Sequence, residues 1–146
     1  MLQLTKIFHF EMAHAIYGYT GACKNIHGHS YELHVTVSAG EEKQDYIPSP
    51  GFIIDFKEIK KIVTTGVVEI FDHKLVLSQD FLTKFPLALS PENLFVMNTE
   101  PTVENLLIFI HRRLSATLPS AVRLSELMLY ETKNSYAKWI NTNVNK

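Results

Sequence analysis

The chain has 146 residues, 46% hydrophobic and 20% charged, with a net charge of −1. This predicts one packed domain over residues 1–146 and excludes a disordered chain, a basic nucleic-acid footprint and a membrane-spanning helix. Its single cysteine, Cys23, excludes an internal disulfide; together with an N-terminus that lacks a signal-peptide pattern, it points to a reducing, cytoplasmic setting.

Leu2, Leu4, Phe8, Phe10 and Met12 alternate with Gln3, Thr5, His9 and Glu11. Period 2 predicts a half-buried strand that carries His14 onto its apolar side. Residues 15–26, with Gly18, Gly21 and Asn25, read as a loop. Tyr31, Leu33, Val35, Val37 and Ala39 then define a second strand, and His27 and His29 share its odd phase. Residues 40–51, with Pro48, Pro50 and Gly51, predict a turn. Asp55 and Glu58 have capping-box spacing, and Phe56, Ile59, Ile62, Val63, Val67 and Ile70 form one helical stripe. Residues 74–101 contain Leu75, Val76, Leu77, Phe81, Leu82, Phe85, Leu87 and Leu89. They are too apolar for a solvated linker, which predicts an ordered insertion or a pocket cover. Thr102 is placed to cap a second helix, with Val103, Leu106, Leu107, Ile110, Leu114 and Leu118 facing inward and Pro119 ending it. Val122 to Thr132 and Tyr136 to Asn141 predict two last strands. The order β-β-α-α-β-β implies an α+β domain, an antiparallel sheet with helices on one face.

His27-Gly28-His29 is the pattern that carries chemistry. Two imidazoles at i and i+2 of a strand point the same way, and Gly28 admits a close backbone approach. If the first two strands pair antiparallel, His14 lies beside them. Three neutral imidazoles with an open fourth position suit a catalytic zinc, whereas any one of them alone would read as a hydrogen-bonded structural histidine. Cys23, four residues upstream, reads as a small buried hydrophobe, as a thiolate favoured by a cationic neighbour, or as a fourth ligand. Asp72-His73 reads as a helix terminus or as a proton-transfer pair. Glu131 reads as a solvent-facing strand residue, or as a pocket carboxylate able to accept two hydrogen bonds from a guanidine-like edge such as a pterin presents. Tyr17 and Tyr19 lie in the loop without an assigned role, and His9, His34 and His111 read as structural or surface residues.

Six stretches resemble the 6-pyruvoyl-tetrahydropterin synthase / 6-carboxy-tetrahydropterin synthase family, in the family's order. They are Phe8-His9-Phe10-Glu11-Met12-Ala13-His14, residues 23–31 from Cys23 through His27-Gly28-His29 to Tyr31, Gly51-Phe52-Ile53-Ile54-Asp55-Phe56, Phe71-Asp72-His73, Pro101-Thr102-Val103-Glu104-Asn105 and Tyr130-Glu131-Thr132. The resemblance implies the tunnelling fold, with homo-oligomers (trimers, or hexamers) forming a barrel and active sites between subunits. It implies zinc on His14, His27 and His29, Cys23 as proton acceptor, and Asp72 and His73 as a proton relay. Glu131 would anchor the pterin and belong with the relay; Thr102 and Glu104 would lie near the pterin. The implied activity is a zinc lyase acting on 7,8-dihydroneopterin triphosphate. The Cys-x-x-x-His-Gly-His spacing is similar to bacterial 6-carboxy-tetrahydropterin synthases of queuosine biosynthesis, which release triphosphate and acetaldehyde. The pyruvoyl-forming type, a non-catalytic zinc or pterin-binding paralogue, and an unrelated zinc enzyme such as a hydratase are the alternatives. Leu75-Val76-Leu77 departs from the family, which usually runs to Leu-Asn or Leu-Asp there.

Overall fold

The computed structural model describes residues 1–40, 45–88 and 91–142. Residues 41–44 of the expected turn, and Leu89 of the apolar segment, lie outside the described residues. Strand β1 (Gln3–His14) pairs antiparallel with β2 (His27–Ala39) over their whole length, placing His14 opposite His27 and Met12 opposite His29. Strand β5 (Val122–Thr132) pairs antiparallel with β2, and β6 (Ser135–Ile140) with β5. This four-stranded antiparallel core is the one the alternation predicts.

The segment 74–101 adds what the sequence left irregular. It contributes β3 (Lys74–Ser78), helix α3 (Gln79–Lys84) and β4 (Leu94–Met97). Strand β3 pairs parallel to the end of β1, and β4 parallel to β3, so the sheet is mixed, in the order β4-β3-β1-β2-β5-β6. The expectation of a purely antiparallel sheet is corrected at this edge. The reason is burial on both faces: Val76 enters the main core while Leu77 packs with Ala15 and Phe81 in a second cluster. A strand covered on both sides loses polar alternation, which is why Leu75-Val76-Leu77 carried no period-2 signal. Helix α3 covers the face of β3 opposite the main core, so not all helices share one face.

Helix α1 (Phe56–Val63) starts where the sequence predicts, with the Asp55 carboxylate accepting the Lys57 N–H at 2.8 Å. It continues through a π-helical turn, Thr64–Val68, into the short α2 (Glu69–Phe71). The π turn frees backbone carbonyls, and Arg113 Nε donates to that of Gly66 at 2.8 Å. Helix α4 (Val103–Thr117) is capped by Thr102, whose Oγ1 accepts the Asn105 N–H. Phe10, Tyr31, Leu33, Leu127 and Leu129 from the sheet meet Ile59, Val67, Phe71, Leu106, Ile110 and Leu114 from the helices in one core. Each such burial contributes about 1.5–3 kcal/mol. Two residues expected inside are not: Leu2 is 61% and Phe56 46% exposed, because each sits at an element end beyond the packed layer.

Candidate metal centre

Paired residues on antiparallel strands project to the same face, so the β1–β2 register brings His14, His27 and His29 together at the end of the ladder. One face thus runs from the core residues Phe10 and Tyr31 to Met12 and His29, and then to His14 and His27. Strand β5 supplies a fourth group. Leu127 and Leu129 face the core, and Glu131 continues their phase onto the histidines. One ligand atom from each of His14, His27, His29 and Glu131 lies within 4.8 Å of the others.

Backbone carbonyls fix two of the rings. His14 Nδ1–H donates to the Pro101 carbonyl at 2.7 Å, and His27 Nδ1–H donates to the Asn25 carbonyl at 2.7 Å. A carbonyl can only accept, so each Nδ1 carries the proton and each neutral ring presents a bare Nε2. Those two Nε2 atoms face each other at 3.1 Å. The Nε2 of His29 is fully buried and makes no hydrogen bond; Glu131 Oε1 lies 3.1 Å away but out of line. Two lone pairs, an unpartnered ring nitrogen and a carboxylate oxygen therefore converge. Tetrahedral zinc with bonds of about 2.0–2.1 Å needs ligand atoms about 3.3 Å apart, and two of the six separations are 3.1 Å. A metal-binding histidine usually donates its other ring N–H to a partner such as a backbone carbonyl. The donor set fits the implied zinc.

Electrostatics agree with the geometry. Burial holds His14 below the ordinary histidine range, opposed by its bond to Pro101 and by the Glu131 charge. Burial likewise lowers His29, against the attraction of Glu131. Both shifts favour the unprotonated, ligating form. Burial pushes the Tyr31 phenol upward, with the charges of Glu131 and Cys23 adding to it.

The remaining predicted site residues fall in two places. Cys23 is half-buried in a 3-10 turn, Ala22–Lys24, and is not one of the four converging groups. Its carbonyl accepts the Ile16 N–H at 2.9 Å, closing the loop between β1 and β2 near Tyr31. Tyr17 and Tyr19 of that loop, with Phe81 and Phe85 of the insertion, line an apolar cavity of about 540 Å³. Asp72 and His73 lie elsewhere. Asp72 Oδ1 accepts the Glu11 N–H at 2.9 Å, Glu11 O accepts the His73 N–H at 2.6 Å, and the two side chains pair at 3.0 Å. The Glu11 N–H holds the Asp72 carboxyl below its usual range, with His73 adding to the effect. The Glu11 side chain, bonded to Ser30, projects from the face opposite the tripod. His73 has φ 58°, the left-handed region, and its side chain is 79% exposed. Thr102 serves the helix cap, and Glu104 is exposed on the first turn of α4.

Three features escaped the sequence. The Asn25 and Pro101 carbonyls are backbone groups, so no residue type announces them. Glu100 accepts the Tyr17 N–H at 2.6 Å and ties the loop to the α4 cap. Glu131 is expected as a pocket carboxylate, but its place among the ligand atoms is new, and its phase with Leu127 and Leu129 is the signal for it. Gly28 proves less special than expected: a Cβ there meets only ordinary contacts, the nearest being Met12 O at 3.5 Å.

Comparison with known proteins gives the arrangement a lineage. A 6-carboxy-5,6,7,8-tetrahydropterin synthase from Haemophilus influenzae is 29% identical, over 95% of this chain and 99% of its own. A dihydroneopterin monophosphate aldolase from Pyrococcus furiosus is 32% identical over 84% of this chain and 82% of its own. The fold matches a Caenorhabditis elegans 6-pyruvoyl tetrahydropterin synthase with a TM-score of 0.69 at 20% identity, over 97% of this chain and 96% of that one. That is the expected tunnelling fold. With residues 3–141 matching the model of the 6-pyruvoyl tetrahydropterin synthase family, the chain belongs to that family.

Proposed function

We propose that the protein is a zinc-dependent lyase converting 7,8-dihydroneopterin triphosphate to 6-carboxy-5,6,7,8-tetrahydropterin, the queuosine-pathway reaction, in the cytoplasm. The observation that carries this is the convergence of His14, His27 and His29, two with tautomers fixed by backbone carbonyls. The Haemophilus relative, named for that product, supports the substrate class. His14, His27 and His29 hold zinc. Bound zinc supplies Lewis acidity to the hydroxyl oxygens of the substrate side chain, easing loss of the neighbouring protons. Cys23 takes a proton as thiolate, from a loop adjoining the tripod but outside its ligand set. Glu131 binds the guanidine-like edge of the pterin, with Thr102 and Glu104 nearby, and the fixed orientation accounts for a large share of the rate.

Asp72 and His73 return a proton. Bonded to the Glu11 main chain and outside the ligand group of their own tripod, they serve the tripod of a second copy in a homo-oligomer, a trimer or a hexamer. The left-handed His73 backbone and its exposed side chain are consistent with a residue held for a neighbour's site.

The Pyrococcus relative favours a second reading, carbon–carbon cleavage of the dihydroneopterin monophosphate. The test incubates zinc-loaded protein with 7,8-dihydroneopterin triphosphate and identifies products by mass. The carboxylated pterin with acetaldehyde supports the proposal. A pyruvoyl product without acetaldehyde replaces it with the biopterin-type reaction. Turnover of the monophosphate alone replaces it with the aldolase reading.

A further inference from the structure

The position of Glu131 suits two tasks that one carboxylate cannot perform together. Its Oε1 stands 3.1 Å from His29 Nε2, within the group of four converging ligand atoms. That His29 nitrogen is buried and makes no hydrogen bond, although the carboxylate oxygen is within reach of it. A cation held between them satisfies both groups at once. The same carboxylate is 24% exposed, so an incoming ring can reach it. A guanidine-like edge takes both carboxylate oxygens in one plane, as a bidentate pair. An oxygen committed to a metal is then lost to that pair.

From this competition we infer that Glu131 is exchanged between two partners, closing the metal site as fourth ligand at rest and leaving it when a pterin ring docks. The inference rests on the proposed pterin and zinc reading. It makes the open coordination position a consequence of ring binding. The metal is then exposed only when a side chain is positioned to occupy it, which excludes idle hydrolytic chemistry. Cys23 stands outside the ligand set, so the exchange leaves the thiol free throughout.

Linkage gives a test that needs no turnover. If the two partners compete for Glu131, zinc must weaken the binding of a pterin ring lacking the reactive side chain, and the ring must weaken zinc by the same factor. The probe is 6-methyl-7,8-dihydropterin, titrated into zinc-free and zinc-loaded wild-type protein. Zinc affinity is measured by chelator competition, and the Co²⁺-substituted protein is followed by its visible spectrum. The expectation is ring binding about tenfold tighter to the zinc-free protein, and a Co²⁺ spectrum that changes on adding the ring. Glu131→Gln should bind zinc about 10- to 100-fold more weakly. Its Co²⁺ spectrum should differ from that of the resting wild type and no longer respond to the ring. Equal or tighter ring binding to the zinc-loaded wild type, with unchanged zinc affinity in Glu131→Gln, overturns the exchange and leaves the proposed function standing. A wild-type protein that binds neither zinc nor the ring overturns both.

Discussion

Replacing His27 with alanine should affect the zinc-free and zinc-loaded proteins in different ways. In the zinc-free protein His27 Nε2 faces His14 Nε2 at 3.1 Å, lone pair to lone pair, which is a repulsive contact. The ring also gives one favourable bond, to the Asn25 carbonyl at 2.7 Å. Such a bond contributes about 1 kcal/mol net, and the relieved repulsion offsets it. His27→Ala should therefore change zinc-free stability by less than about 1 kcal/mol. With zinc the balance differs, because a ligand present at 100 times its Kd stabilises the native state by about 2.7 kcal/mol. For a domain of this size that is about 5–10 °C in Tm. The variant should lose most of that increment, since removing a direct ligand must weaken zinc by at least the roughly 100-fold that losing an outer partner can cost. The assay is a thermal melt of both proteins with chelator and with buffered zinc, together with a denaturant titration of the chelated forms. A His27→Ala protein destabilised by several kcal/mol without metal would show a purely structural ring. Equal zinc-induced shifts in both proteins would show that the metal binds elsewhere.

Cys23→Ala should keep full zinc content and lose at least about 100-fold in turnover, the scale of a lost general base; elemental analysis beside product formation checks both, and undiminished turnover sinks the proton-acceptor role. Asp72→Ala should cost about 1 kcal/mol at neutral pH, discounted because the carboxylate is partly exposed. Its folded pKa is depressed, so the stabilisation is present above the ordinary carboxylate pKa and disappears as pH falls through the lower folded value. Denaturant melts of the two proteins should therefore converge only in acid, and a gap independent of pH would contradict the charge-assisted bond. His73→Gly should be at least as stable as the wild type, because glycine accepts φ 58° without the cost of a Cβ, yet it should lose activity. Two inactive variants, His27→Ala and His73→Ala, should restore about one quarter of wild-type activity when their subunits are mixed at random, if each tripod is served by another copy's Asp72-His73 pair. No recovery after verified subunit exchange would place the relay within one chain.

Alternation made the two central strands legible because each has one dry face. Phe8, Phe10 and Met12 on β1 and Tyr31, Leu33 and Val35 on β2 carried the phase through to the histidines, and the register followed. The same rule failed for β3, where Val76 and Leu77 are buried on opposite sides and no polar residue marks a face. At β5 the strand is legible but its bulge is not: Ser125 enters as an extra residue between the partners of Thr36 and Val37 and is buried against Ser38. Bulges shift the phase without changing the composition. The α1–α2 helix read as one stripe, and its π turn left no trace in that pattern, because one added residue per turn still keeps Val63 and Val67 inside.

The relatives named for different reactions share a scaffold, which limits where the choice of reaction can reside. The tripod sits at the end of the β1–β2 ladder, held by strand register and by two backbone carbonyls, and neither holds any information about a substrate side chain. What surrounds it is built from other parts of the chain. The Tyr17, Tyr19, Phe81 and Phe85 cavity joins the Cys23 loop to the insertion that carries β3 and α3, and Glu100 fastens that loop to the α4 cap. A change in the insertion can therefore move the thiol loop relative to a fixed metal. A shift of about 1 Å at a proton acceptor is enough to alter rates by orders of magnitude. On the proposed zinc reading, the tripod therefore sets the class of substrate, and the loop and insertion set which of its bonds is broken.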